Sequence, residues 1–575
     1  MTHHLRSEGH PAWSRRGFLL SAAALVAGPP LAVPGPAAAA DLPGFPDGVD
    51  VYRSAYRNWV GEITADALWA CAPRDADQVV EVVNWARQHG WTVRARGRSH
   101  GWSPLTIPAG TTADARVLLV DTSTRLTGLS LESTEPAAVR AGAGVTLEAL
   151  LGFLEEHGLG LTATPAPGDL TLGGALAIDA HGTAVPADGE SRPPGHTYGS
   201  LSNLVLSLTA VVWDPAADAY ALRTYDRDDA DGAALLAHLG RALITEVVLR
   251  VGVNTNLRCV SRVDIPAAEL FAKPGSEGRT FASFLDESGR AEAIWFAFTE
   301  FPWLKVWSVA PARPLTSRRV TSPYNYPFSD NIPTVVADLA GRMVSHAAWY
   351  LAPVLGTAQL TAATLGLTAT LSADVWGPSK NTLLYIKPTT LRVTANGYAV
   401  LTSRAQAQRV VWEFTTFYRE RLTAYAAQGR FPVNGQVEIR VTGLDDPSDV
   451  ESPGARAPLL SALRPRADHP EWDTAVWLDV LTLPGTPDAP EFYRELERFL
   501  LTTYDGEHAL TRVEWSKGWA YTDAAAWSDP AVLGTAVPAS FDDGEGADWD
   551  ATAAVLDRLD PYRVFDNAFL KRLFP

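Results

Sequence analysis

Val93-Arg94-Ala95-Arg96-Gly97-Arg98-Ser99-His100-Gly101-Trp102 decides how this chain is read. Upstream, Asp75 precedes Val79, Val80, Val82, Val83 and Ala86 spaced by polar residues, the pattern of an N-capped amphipathic helix. Residues 91–96 then alternate around Val93 as a strand does. The strand enters a short loop in which Gly97 and Gly101 flank Ser99 and His100. Glycine lets backbone amides close on a diphosphate, and a histidine held among them can touch a planar cofactor. Arg96, Arg98 and Trp102 are neighbouring binding candidates, and Ser99 either bonds the diphosphate or caps the turn.

A second glycine-rich stretch, TPAPGDLTLGGA at 164–175, contributes Pro165, Gly168, Asp169, Thr171, Gly173 and Gly174. It is followed by DAHGT at 179–183, with His181 and Gly182, where His181 reads as support for the loop. YGSLSNLV at 198–205 adds Tyr198, Gly199 and Ser202, ALITEV at 242–247 adds Ile244, and DPYRVFDN at 560–567 ends in Asn567. In this order the blocks resemble the flavin domain of the vanillyl-alcohol oxidase family, the PCMH-type FAD-binding fold. The resemblance implies FAD held at these residues, joined covalently through His100 to its 8α-methyl group. It also implies that the C-terminal segment folds back onto the flavin.

Composition bounds the rest. A chain of 575 residues exceeds one core and fits two large domains. Hydrophobic residues at 46% with 20% charged read as globular, and a formal charge of −17 argues against nucleic acid and against anionic substrates. Ser14-Arg15-Arg16-Gly17-Phe18-Leu19-Leu20 reads as a twin-arginine export signal, with small residues Ala38-Ala39-Ala40 as the cleavage site and a secreted or periplasmic product. Cys71 and Cys259 form no CxxC pair, so no metal or dithiol centre is expected; whether they bond to each other stays open. His196 and His508 read as surface residues. Gly142 and Gly144 hint at a dinucleotide fingerprint, but Leu147 replaces its third glycine.

The expected architecture is α+β. Residues 1–40 form the signal, 41–255 a two-part FAD domain, 256–535 a substrate domain with a mixed β-sheet covered by helices, and 536–575 the returning segment. Within 256–535, runs at 293–298, 383–386, 437–441 and 475–481 read as strands and 406–425 as a helix. Residues 343–373 contain no Asp, Glu, Lys or Arg. Pro353, Gly356, Gly366 and several threonines interrupt that stretch, which favours a buried helix pair or apolar lid over a membrane span.

Val437-Glu438-Ile439-Arg440-Val441-Thr442 alternates strictly, so Glu438 and Arg440 share one strand face, roughly 7 Å apart. They are either a surface ion pair or a buried acid and cation facing a cavity. This strand, the run from Ile294 through Glu300 to Trp307, and EWSKGW at 514–519 resemble a subgroup, the covalent-FAD bacterial cholesterol oxidases. That resemblance implies catalytic roles for Glu438, Arg440 and Lys517 and a gating glutamate that is either Glu292 or Glu300. It also implies an asparagine near Leu478 to Leu481, where this chain offers Asp479. The implied reaction is oxidation of a sterol 3β-hydroxyl by hydride transfer to FAD, with Δ5 to Δ4 isomerisation and O2 reduced to hydrogen peroxide. Transient contact with a membrane surface would deliver the sterol. The alternatives are an FAD-linked oxidase or dehydrogenase of a polyol or sugar, and a non-catalytic flavin- or sterol-binding protein.

Overall fold

The computed structural model describes residues 42–326, 334–384, 386–387, 390–544 and 548–575. The twin-arginine stretch lies outside them. The first sheet holds β1 (Asp50–Arg57), β2 (Thr64–Ala72), β3 (Thr92–Arg96) and β4 (Val117–Asp121) in the order β1-β2-β4-β3. Helix α1 (Ala76–His89) begins where the Asp75 side chain accepts from the Gln78 amide and stops at Gly90 with φ 68°. Its buried Val79, Val82, Val83 and Ala86 pack in one cluster with Val93, Leu118 and Val120. This packing fixes the strand that delivers the first loop.

Five strands form the second sheet: β5 (Leu129–Thr134), β6 (Ala137–Gly142), β7 (Val205–Asp214), β8 (Ala219–Asp226) and β9 (Leu243–Arg250), ordered β5-β6-β9-β7-β8. Helix α2 (Leu147–Glu156) buries Leu147, Leu150, Leu151 and Leu154. The C-terminal segment returns to this half of the molecule. The Val93 amide donates to Val564 O at 2.8 Å, and the Asn567 side chain donates to Leu105 O at 3.0 Å.

A nine-stranded mixed sheet carries the second half: β10 (Asn256–Arg262), β11 (Arg290–Phe296), β12 (Trp303–Val309), β13 (Arg318–Arg319), β14 (Asp374–Pro378), β15 (Thr394–Thr402), β16 (Gln436–Gly443), β17 (Thr474–Thr482) and β18 (Ala509–Val513). Their order is β13-β14-β10-β12-β11-β16-β17-β15-β18, with only β13 and β14 parallel. Helices α3 (Thr334–His346) and α4 (Ala352–Ala369) form a hairpin; α5 (Ser379–Leu383), α6 (Ala407–Ala427) and α7 (Ala489–Thr503) follow. Six buried residues of α6, from Val410 to Tyr425, share a core cluster with Val437, Ile439 and Val441, the inward set of β16.

Several expectations need correction. The apolar run expected as a strand at 383–386 begins as helix: Leu383 closes α5, Leu384 caps it, and Ile386 makes an isolated bridge to Pro167, while Tyr385 lies outside the described residues. The strand expected at 293–298 ends at Phe296, because Phe298 takes φ 64° and turns the chain. The charge-free stretch is a helix pair but not a buried one. Ala352, Leu355, Gly356, Ala363 and Leu367 of α4 face inward, while Val354 (50% exposed) and Leu365 (63%) face solvent. The helix Trp349–Ala369 is long and apolar enough to cross a membrane by length and composition alone, and its inner face is already packed on the domain. His196 is a core residue, its Nε2 3.1 Å from Val253 O. Cys71 and Cys259 are free, buried, and sit in different core clusters.

Candidate active site

One cleft runs between the flavin-type loops and the large sheet. Gly97, Arg98, Ser99, His100, Gly101 and Trp102 line it from the first loop; Pro165, Thr171, Gly173 and Gly174 from the second; His181 and Ile244 close one side. Glu438, Arg440, Glu514 and Lys517 line the opposite wall. Other predicted residues stand behind this surface. Arg96 pairs with Asp121 at 2.9 Å and anchors the base of the loop. Ser202 donates to Leu176 O, Asn567 ties down the C-terminal segment, and Gly168, Gly182, Tyr198 and Gly199 shape the second loop and its floor. Glu300 is exposed beyond the end of β11, where its carbonyl accepts from the Ala267 amide, and it does not continue the Glu292 face.

Ser99 takes φ 54°, in the left-handed region, and so turns His100 into the cleft. The His100 ring stacks on Trp59, with centroids 3.8 Å apart and planes 21° apart. Its Nδ1 is 3.7 Å from Asp169 Oδ1, and neither buried atom has a hydrogen-bond partner among the described residues. Burial, reinforced by Arg392 and Lys517, pushes the His100 pKa down to about 3. A neutral imidazole with an uncommitted nitrogen suits attachment to an electrophilic methyl carbon, so these residues fit FAD. Trp59 and Arg392, whose guanidinium lies 4.6 Å over the Trp59 ring, were not legible as site residues because no motif surrounds either.

His181 stacks on Trp477 at 3.5 Å, with Nδ1 2.9 Å from Gly182 O. Burial and then Arg440 push its pKa down to about 3, so it faces the cleft uncharged. Its surroundings combine the structural role expected for it with a place on the cleft wall.

The opposite wall is a ladder of charges crossing neighbouring strands. Lys305 on β12 meets Glu292 on β11 at 2.8 Å, and Glu292 reaches Arg440 on β16 at 3.7 Å. Arg440 also holds Glu438 at 3.4 Å and contacts Asp479 on β17. Lys517 meets Asp479 at 2.8 Å and Glu514 at 3.3 Å. Strand register builds this line, since Lys305 pairs with Glu292, Glu292 with Arg440, and Glu438 with Asp479. Burial opposes charge on Arg440 and Lys517, yet Asp479 and the neighbouring glutamates outweigh it and raise both pKa values. Burial likewise opposes Asp479, but Lys517 and Arg440 hold its carboxyl below the usual range. The wall therefore presents two persistent cations to whatever enters the cleft. Among the described residues, no group of His, Cys, Asp and Glu is arranged to hold a metal ion.

Comparison with known proteins follows this division of the chain. Residues 256–575 match the substrate-binding domain of cholesterol oxidase, and residues 68–214 match an FAD-binding domain. A solved solvent-stable cholesterol oxidase is 57% identical, with a TM-score of 0.92 over 93% of this chain and 99% of that one. The cholesterol oxidase from B. sterolicum is 46% identical, with a TM-score of 0.90 over 95% of this chain and all (100%) of that one. Two curated relatives match more distantly. Mouse L-gulonolactone oxidase is 25% identical over 43% of this chain and 49% of its own length. A D-lactate dehydrogenase from Archaeoglobus fulgidus is 30% identical over 25% of this chain. The chain spans 28% and 49% of these two curated relatives.

Proposed function

The chain belongs to the cholesterol oxidase family, and from that premise we propose that it is an FAD-dependent oxidase of the 3β-hydroxyl of cholesterol or a closely similar sterol. The observation that carries the reading is the cleft itself, in which His100 of the flavin-type loops and the cations Arg440 and Lys517 line one cavity.

Bound FAD supplies the hydride acceptor, and its reoxidation by O2 yields hydrogen peroxide. The protein's residues supply the rest. Arg440 stabilises the negative charge that develops on the sterol oxygen as its proton leaves. Glu438, ion-paired with Arg440 at 3.4 Å and open to the cleft, takes that proton. Once that proton has passed on to solvent, the regenerated carboxylate carries a proton from C4 to C6, which moves the ring double bond from Δ5 to Δ4. Asp479 is the weaker base because both cations hold it. His100, kept neutral at physiological pH by its burial, would hold FAD covalently.

The α3–α4 hairpin serves as an apolar lid. Its inner residues Met343, Ala352 and Leu355 share a cluster with Trp59 and Trp102 of the flavin side. The bare outer face, including Tyr350 and Leu365, meets the membrane surface from which sterol is drawn. The twin-arginine stretch supports export. Exchanging Arg15 and Arg16 for lysine retains the precursor in the cell.

The test is oxygen uptake with cholesterol, with the product identified by chromatography and the protein precipitated in acid. The expected results are peroxide, cholest-4-en-3-one and yellow colour retained on the polypeptide. Uptake with polyols but not sterols would replace this reading with the sugar-alcohol one.

A further inference from the structure

Among the described residues, the ladder holds three cations, Lys305, Arg440 and Lys517, against four acids, Glu292, Glu438, Asp479 and Glu514. One acid is in surplus, and the mechanism above gives Glu514 no task. The backbone shows where the surplus is accommodated. Gly397 on β15 lies opposite Asp479 in register, and its carbonyl accepts from the Glu514 amide at 3.0 Å. Strand pairing thus brings both carboxyls over the same glycine. A side chain there would come within 2.6 Å of both Asp479 Oδ1 and Glu514 Oε2. Only glycine leaves room for the two acids to meet.

Asp479 is fully buried, and its Oδ2 takes both Lys517 and Arg440. Its Oδ1, also buried, has no hydrogen-bond donor among the described residues. A proton on Glu514 would supply that donor. We propose that Glu514 and Asp479 share one proton above Gly397, and that this proton keeps Arg440 and Lys517 available to the sterol oxygen. Two buried carboxyls this close do not both ionise without a large penalty. Burial, and then Asp479, push the Glu514 pKa up to about 8, while the cations hold Asp479 low. The groups facing the pair are Lys517 and Ser516 on its own segment, Arg440 and Glu438 on β16, and Asp179 and His181 from the second flavin-type loop. Glu514 and Asp479 are positioning residues, because they act through the two cations. Loss of the shared proton adds a negative charge beside Lys517 and weakens the stabilisation of the developing alkoxide.

The pair can be tested without substrate, and only the kinetic arm rests on the proposed sterol oxidation. Infrared titration of the flavin-loaded enzyme should show a protonated-carboxyl band at neutral pH that is lost with a midpoint near about 8. Glu514→Gln should lack the band. In Asp479→Asn, Glu514 becomes the nearest anion to Lys517, and its midpoint should fall by at least about one unit. The kcat for cholesterol should decline along the same alkaline midpoint in the wild type. It should stay flat there in Glu514→Gln, whose amide still donates to Asp479. No band at neutral pH, a band that survives Glu514→Gln, or an unmoved midpoint in Asp479→Asn overturns the proposal. A titrating band in an enzyme inactive on sterols overturns the proposed function and leaves the shared proton standing.

Discussion

Glu438 and Asp479 stand opposite each other in the register of β16 and β17, and both reach one guanidinium, that of Arg440. Like charges directly across a sheet repel, so this pairing depends on the arginine between them. The cation offered to substrate is the same group that holds two acids in place. Activity and local stability are therefore coupled at one side chain.

Arg440→Ala should lower kcat and kcat/KM together by about 3 kcal/mol of transition-state stabilisation. It should also lower the melting temperature, because Asp479 is left buried against Glu438 with Lys517 as its remaining partner. FAD content should be unchanged, since Arg440 belongs to neither flavin loop. Steady-state kinetics, flavin absorbance and a thermal melt check the three parts. Wild-type turnover would reduce the pair to a structural ion bridge.

Lys305→Met should destabilise the fold by about 3–5 kcal/mol, since it strips the nearest cation from a glutamate only 2% exposed. Lys305→Met combined with Glu292→Leu should recover part of that loss, because the buried Glu292 carboxylate is then removed together with its cation. Urea unfolding of both single variants and the double variant measures the coupling.

Gly356 packs against the backbone of the turn after β11, where an added Cβ would come 2.0 Å from Ala297 O. Gly356→Ala must lift the α3–α4 hairpin away from the sheet. KM for sterol should rise several-fold, with FAD content unchanged and the melting temperature slightly lower. An unaltered KM would separate the hairpin from sterol entry.

Burial pushes His100, His181 and His238 to about 3 and His196 to about 4, each from an ordinary value of 6.5. Folding thus favours their neutral forms. Below pH 6.5 the unfolded chain binds protons that the folded chain refuses, so stability is full above that pH and falls steadily towards pH 3–4. Urea midpoints of flavin-free protein measured from pH 7 to pH 4 should show this slope, and His238→Gln should make it shallower.

Much of the flavin half is local and could be read in order along the chain. Asp75 caps α1, the strand ends at Arg96, and the loop that follows must turn at Ser99 and present His100, all within about twenty-five residues. Glu438 and Arg440 share a face for an equally local reason, the two-residue period of a strand. The run at 383–386 misled because a short apolar stretch carries no period, and helix and strand look alike in it.

What the sequence by itself determined was the locally coded elements, such as α1, the strand into the first loop and the Glu438–Arg440 strand, with their buried faces, because capping, turning and alternation are decided between near neighbours. The tertiary structure alone chose Glu292 over Glu300 as the acid facing Arg440, set Trp59 against His100, and brought Glu514 to Asp479 over Gly397. Those meetings join positions tens to more than a hundred residues apart. Glu292, Arg440 and Asp479 line up only once the strands have found their register, since a shift of one residue turns a strand side chain to the opposite face of the sheet.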